Sequence, residues 1–123
     1  MPSVTGKWEQ FLESNDSYTL IISDQLGHKL AGTFDIKITD DENGEIYTFQ
    51  YKVTGHYWVN MMALMLTPTD GDDKRLDCGC VLLEACQTQA GNTLDGRYIY
   101  KNSNDKLKQK VVSSSLTLKF NKN

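Results

Sequence analysis

Lys29-Leu30-Ala31-Gly32-Thr33-Phe34-Asp35-Ile36-Lys37-Ile38-Thr39 is the stretch that decides the fold. Leu30, Gly32, Phe34, Ile36 and Ile38 alternate with Lys29, Ala31, Thr33, Asp35, Lys37 and Thr39, so one side of an extended chain is oily and the other wet. Successive side chains of a strand point to opposite faces, and this period of two predicts an antiparallel strand with one face in a core.

Outward from it, the same pattern recurs between turn-forming residues. Trp8, Gln10 and Leu12 share a face in a first strand, and Tyr18, Leu20 and Ile22 do so in a second. After the acidic turn Asp40-Asp41-Glu42-Asn43-Gly44, a fourth strand carries Tyr47, Phe49, Tyr51 and Val53 on its apolar side. Residues 57–67 read as one strand apolar on both sides, with Trp58, Met62, Leu64 and Leu66 against Val59, Met61, Ala63 and Met65, and so as a strand covered twice. It ends at Pro68 and the polar connection Thr69-Asp70-Gly71-Asp72-Asp73-Lys74. Residues 76–88 and 94–101 follow, joined by Gln89-Ala90-Gly91-Asn92, and Val112, Leu116, Leu118 and Phe120 are in phase in the last segment.

Eight short strands with no room for crossover helices predict an all-β chain, a single domain over residues 1–123. The expected architecture is an eight-stranded antiparallel up-and-down β-barrel, with a two-sheet sandwich as the alternative. Closure favours the barrel, because pairing the first strand with the last removes the unpaired edges that template aggregation. An internal repeat points the same way: Gly27-His28-Lys29-Leu30-Ala31-Gly32-Thr33-Phe34 matches Gly91-Asn92-Thr93-Leu94-Asp95-Gly96-Arg97-Tyr98 as Gly-x-x-Leu-x-Gly-x-aromatic. Gly32 and Gly96, inside strands beside an aromatic ring, are expected at sharp corners of the sheet.

Composition narrows the function classes. A formal net charge of -3 argues against a coat for duplex nucleic acid, which needs a basic stripe to displace counterions. No apolar run approaches the roughly 20 residues of a membrane-spanning helix, and no leader-like apolar segment follows Met1. Three cysteines cannot all pair within one molecule, which suggests a reducing, cytoplasmic setting, for a whole small protein or for the soluble part of a longer membrane protein.

Gly6-Lys7-Trp8 resembles the Gly-x-Trp that opens lipocalins and avidins, and with the eight strands the chain looks calycin-like. In those families the indole plugs one barrel end beside a basic residue of the last strand, which the resemblance places at Lys119. A second likeness covers more of the chain: the opening Gly-x-Trp, the strand Leu94, Gly96, Tyr98, Tyr100 with its tail at Asn102, and a final strand ending Leu116-x-Leu118-x-Phe120. These resemble the sensor barrel of the two-transmembrane effectors in bacterial cyclic-oligonucleotide (CBASS-type) antiphage systems. That resemblance implies binding of a cyclic nucleotide signal that drives assembly of attached membrane helices. The two helices are not in this sequence, so the expectation is an excised domain or a soluble relative.

Catalytic chemistry finds few candidates. Cys78, Cys80 and Cys86 share one side of a strand, but residues 78 and 86 lie roughly 25 Å apart along it, too far for a single metal. Buried, apolar-like cysteines are expected in preference to metal ligands, although Glu84, in phase with them, is favoured on the outer face, which would put the cysteines outside and leave Val81, Leu83 and Ala85 inward. His28 falls in a turn and is expected to be solvated, and His56 could line a barrel mouth; no acid, base and nucleophile converge in the pattern. The chain reads as non-enzymatic, with no metal and no cofactor.

Without a Gly-rich phosphate loop, anion recognition would fall to side chains. The candidate ligand-binding residues are Trp58, Arg97, Tyr98, Tyr100, Lys101 and Asn102, cations and amides for phosphate with aromatics for a base or an apolar cavity; Lys52 and Tyr51 are further candidates, Tyr51 more as core. Tyr98 and Tyr100 are read equally well as core and as cavity wall. The leading expectation is a small-molecule-binding barrel, best matched to a nucleotide second messenger in antiviral defence. The alternatives are a carrier of an apolar ligand, or a solidly packed interaction module that recruits a partner or forms a homo-oligomer. A void lined by Arg97, Tyr98 and Trp58 would favour the sensor, and a filled centre the interaction module.

Overall fold

Alternation this regular commits each strand to a buried and a wet face, and eight such strands hide their inner faces best by curling into a cylinder. The structure, a computed structural model, describes residues 3–13, 15–39, 43–69, 78–88, 91–101 and 111–121. Its strands are β1 (Gly6–Phe11), β2 (Ser17–Leu26), β3 (Lys29–Thr39), β4 (Ile46–Trp58), β5 (Met61–Pro68), β6 (Gly79–Thr88), β7 (Gly91–Lys101) and β8 (Val111–Asn121). Each pairs antiparallel with the next, and β1 pairs with β8 through Lys7↔Asn121, Trp8↔Phe120 and Glu9↔Lys119. The result is a closed eight-stranded barrel, all-β among the described residues, as the alternation requires.

The interior is one continuous apolar cluster. Leu20, Ile22, Leu30, Phe34, Ile36, Tyr51, Val53, Tyr57, Met62, Leu64, Leu66, Val81, Leu83, Leu94, Leu116 and Leu118 are all buried in it. Leu20 and Ile22 of β2, Leu30, Phe34 and Ile36 of β3, and Leu116 and Leu118 of β8 face in as expected, whereas Phe120 is exposed at the Trp8 end; Val81 and Leu83 face in while Cys80 and Glu84 face out. The long alternating set of β3 stops at Ile36, because Ile38 reaches the rim and is exposed.

The repeat marks real corners. A Cβ at Gly32 would strike the Ile21 carbonyl oxygen, and one at Gly96 the Leu82 carbonyl oxygen. Gly55 does the same against Ala63, a third corner with no counterpart in the repeat. At each, the strand coils until its neighbour's backbone occupies the volume a side chain would fill, which is how so small a barrel closes.

Residues 57–67 are not one strand. The chain reverses at Val59-Asn60, so β4 ends at Trp58 and β5 begins at Met61. The turn hid in the sequence because tight hairpins favour Gly, Asn or Asp where φ is positive, and here Val59 takes φ 60°. The reversal flips parity. Trp58 pairs with Met61 on the outer face, whereas Tyr57 and Met62 pair inside, so Trp58 does not share a face with Met62, Leu64 and Leu66.

Trp8 does plug one end, but Lys119 is not its neighbour. Lys119 pairs with Glu9 and is exposed on the opposite face, since adjacent residues of a strand point opposite ways. The indole instead lies 5.0 Å from the Phe120 ring and donates through Nε1 to the Val4 carbonyl at 3.0 Å. The closing seam is fastened outside by the Asn121 amide donating to the Glu9 carboxylate, and by Lys7 Nζ 3.9 Å from that carboxylate.

Candidate functional site

The two ends of the barrel are unlike. At the Trp8 end the strands are joined over 27–28, 59–60 and 89–90; at the other end the connections span 12–16, 40–45, 69–78 and 102–110. Longer connections carry binding residues more often than tight turns do, which makes the second end the candidate site. Parts of those connections, including Asp40 to Glu42, Asp70 to Lys74 and Asn102, lie outside the described residues.

That end is lined by phenols. Tyr18 opens β2, and Tyr98 and Tyr100 stand two residues apart on β7, all on the inner face. The Tyr98 and Tyr100 rings stack at 4.9 Å and 17°, Tyr98 meets Tyr18 at 5.6 Å, and Phe34 presents its ring to Tyr98 at 6.0 Å and 64°. Tyr98 is only 6% exposed, with Tyr18 packed against its ring and Ser114 its cross-strand partner on β8. Burial, then the Tyr18 contact, pushes the Tyr98 phenol far up, so it stays a neutral donor at any physiological pH. Tyr100, half-buried at the rim, presents an aromatic face toward the mouth. Tyr98 is core, and Tyr100 packs against that core from the rim.

The candidate residues do not all converge. Tyr98 and Tyr100 share the inner face, and Lys101 follows on β7 opposite Val111. Arg97 is on the outer wall, where its guanidinium donates to Ser113 Oγ and Ser115 Oγ, each at 3.1 Å, and to the Ser113 carbonyl at 3.5 Å. Trp58 is 62% exposed at the far end and packs against His28, ring centres 3.9 Å apart and tilted by 39°. Arg97, Tyr98 and Trp58 therefore line no common void: alternation sends Arg97 and Tyr98 to opposite faces, and the hairpin reversal turns Trp58 outward. The centre of the barrel is occupied by side chains. Lys52 is exposed on the outer wall, and Tyr51 is core.

The remaining chemistry-bearing groups are dispersed. Cys78 and Cys80 are exposed, and Cys86 is partly covered. Burial, then a hydrogen bond and the charge of Asp95 and the charge of Glu84, push the Cys86 thiol up, away from the reactive thiolate. His56 is exposed on the outer wall rather than at a mouth. His28 is exposed, but its Nδ1 lies 3.0 Å from the Tyr57 carbonyl and its ring is covered by Trp58, so it braces two hairpin tips. Among the described residues, no three His, Cys, Asp or Glu side chains gather at one point, and no helix is long and apolar enough to cross a membrane.

The inner phenol set was partly legible, since Tyr98 ends the repeat and Tyr100 follows two residues on, in phase with it. Tyr18 was read only as core, because nothing in its own strand indicates that β7 lies across the barrel from it. No protein-family model matches the chain, and no curated protein matches it.

Proposed function

We propose that this chain is a non-enzymatic small-molecule-binding barrel that takes its ligand at the tyrosine-lined end. Its ligand, on this reading, is a nucleotide second messenger of bacterial antiphage defence, sensed in the cytoplasm. The observation that carries it is the stacked pair of Tyr98 and Tyr100, with Tyr18 packed against Tyr98, at the end from which the longer connections leave. A half-buried aromatic face beside neutral phenol donors suits a planar, hydrogen-bonding base, and Lys101 and Asn102 follow directly in the chain for its phosphates. The filled centre favours the interaction module over a ligand held along the axis, so this reading rests on the mouth alone.

Calorimetric titration with cyclic di- and trinucleotides tests this. Binding that weakens with salt, and that falls at least roughly tenfold in Tyr100→Ala and in Lys101→Glu, is expected. Salt-insensitive binding of an apolar probe, unaffected by Lys101→Glu, would instead identify a carrier of an apolar ligand. No binding of either kind removes the mouth proposal.

A second reading, an interaction module assembling with its own copy, is favoured by the hairpin tips. Leu26 is 81% exposed and Val59 75%, beside Trp58, on turns clamped together by the Tyr57 N–H donating to the His28 carbonyl at 2.8 Å. Rigid apolar tips of this kind are costly to leave in water. Sedimentation equilibrium showing a dimer that Leu26→Asp and Val59→Asp dissolve would select this reading; a monomer at millimolar concentration would discard it.

A further inference from the structure

Residues 57–67 carry apolar side chains on both faces, and the fold covers only one of them. The outer side chains of β5, β6 and β7 that an ordinary barrel would make polar are Ala63, Met65, Leu82 and Ile99, with Cys80 among them. Together with Thr54, His56 and Lys29 they line a groove of about 760 Å³ whose floor is the backbone around Gly55 and Leu64. The size is that of a ligand site. Gly55, in that lining, is the corner at which β4 coils tightly against the Ala63 carbonyl.

Register gives the groove a direction. Lys29, His56, Ala63 and Leu82 are successive cross-strand partners, and Thr54, Met65, Cys80 and Ile99 form the parallel row beside them. From β3 to β7 the rows span roughly 19 Å at the usual strand spacing. At one end Lys29 and His56 are direct partners and, among the described residues, Lys29 makes no ion pair; at the other end Arg97 is the partner of Leu82. Arg97, past the other end, is turned onto Ser113 and Ser115. The groove is thus an apolar track with the Lys29 ammonium at one terminus and, at the other, a guanidinium already hydrogen-bonded to serines.

We propose that this outer groove binds an anionic amphiphile, a single acyl chain laid across the strands with its carboxylate on Lys29 and its tail toward Ile99. Charge complementarity at one end and apolar lining along the rest select that class over a neutral lipid or a nucleotide. The site lies on the outer wall, away from the tyrosine mouth, so either can stand without the other.

The cysteines supply the assay. Cys80 lines the groove; Cys78, exposed on the same segment, and Cys86 do not. The probe is sodium dodecanoate below its micelle-forming concentration, and the readout is iodoacetamide alkylation of each cysteine by peptide mass spectrometry. Saturable protection of Cys80 with Cys78 unprotected is expected. Affinity should rise about two- to fourfold per added methylene from octanoate to dodecanoate and fall roughly tenfold in Lys29→Glu. Ala63→Trp should abolish protection by filling the track, and because residue 63 is exposed this variant keeps the fold readable by circular dichroism. Equal protection of all three cysteines, equal affinity for dodecanol and dodecanoate, or Cys80 protection that depends on protein concentration without any amphiphile would each overturn the proposal, the last by showing a second copy in the groove.

Discussion

Gly96→Ala is the sharpest test of how the barrel closes. In an ordinary strand this exchange is favourable, because alanine has less freedom to lose on folding. At position 96 the added Cβ meets the Leu82 carbonyl oxygen, a backbone atom that cannot rotate aside, with the Leu83 Cα behind it. Either the β6–β7 ladder opens around Leu83↔Gly96 or the corner unwinds into the buried cluster. Overpacking of about 1–3 kcal/mol, together with about 1 kcal/mol for a weakened ladder bond, puts the cost near 3 kcal/mol. Unfolding entropy of about 2.1 cal/mol/K per residue over 123 residues comes to roughly 0.26 kcal/mol/K, so calorimetry should record a fall in Tm of about 12 °C. Gly27 is the control. It has φ +61° with open space around it, so its constraint is conformational rather than steric. Asparagine, which tolerates that conformation, should replace Gly27 almost without loss, whereas Gly96→Asn should be as harmful as Gly96→Ala. A Gly96→Ala protein with unchanged Tm would refute the claim that backbone crowding shapes the corner.

Three further outcomes follow from particular residues. Val59, β-branched and at φ 60°, is strained in an exposed turn, so Val59→Asn should stabilise by about 1 kcal/mol, seen as a Tm rise of roughly 4 °C. Burial raises the Asp35 carboxyl above its ordinary 3.8, so the folded state holds that proton more tightly than the unfolded chain. Its contribution is therefore favourable below that value and turns unfavourable as pH rises through the folded pKa; in urea titrations Asp35→Asn should stabilise at pH 7 and lose that advantage toward pH 3.5. Trp8→Phe removes the indole N–H that satisfies the Val4 carbonyl and should cost about 1–3 kcal/mol by the same titration, with Val4→Ala costing less beyond it in the double variant than alone.

The strand pattern was open to direct reading because burial in a barrel repeats every two residues, and Leu30, Phe34 and Ile36 carry that period without any help from their neighbours. The corner glycines were legible for a similar reason, since Gly32 and Gly96 sit in matching local contexts. Gly55 was not, because nothing local distinguishes a glycine that another strand's carbonyl crowds from one that merely ends a run. The hairpin at Val59-Asn60 escaped because the turn there is imposed on an unsuited residue by the pairing of β4 with β5 and by the Asn60 carbonyl accepting the Ala85 N–H at 2.7 Å.

Amino-acid order by itself determined that this chain is all-β, which side of most strands turns inward, and that its interior is apolar; each is a property of residues two apart. The tertiary structure alone decided what meets across the cylinder. Tyr18 joins Tyr98 and Tyr100, Arg97 is drawn to the serines of β8, Trp58 is thrown outward, and the second apolar face of β5 is left bare beside Lys29. The physical reason is that curvature and register are collective: a single reversed turn or coiled corner re-aims every side chain beyond it, and no local pattern records that displacement.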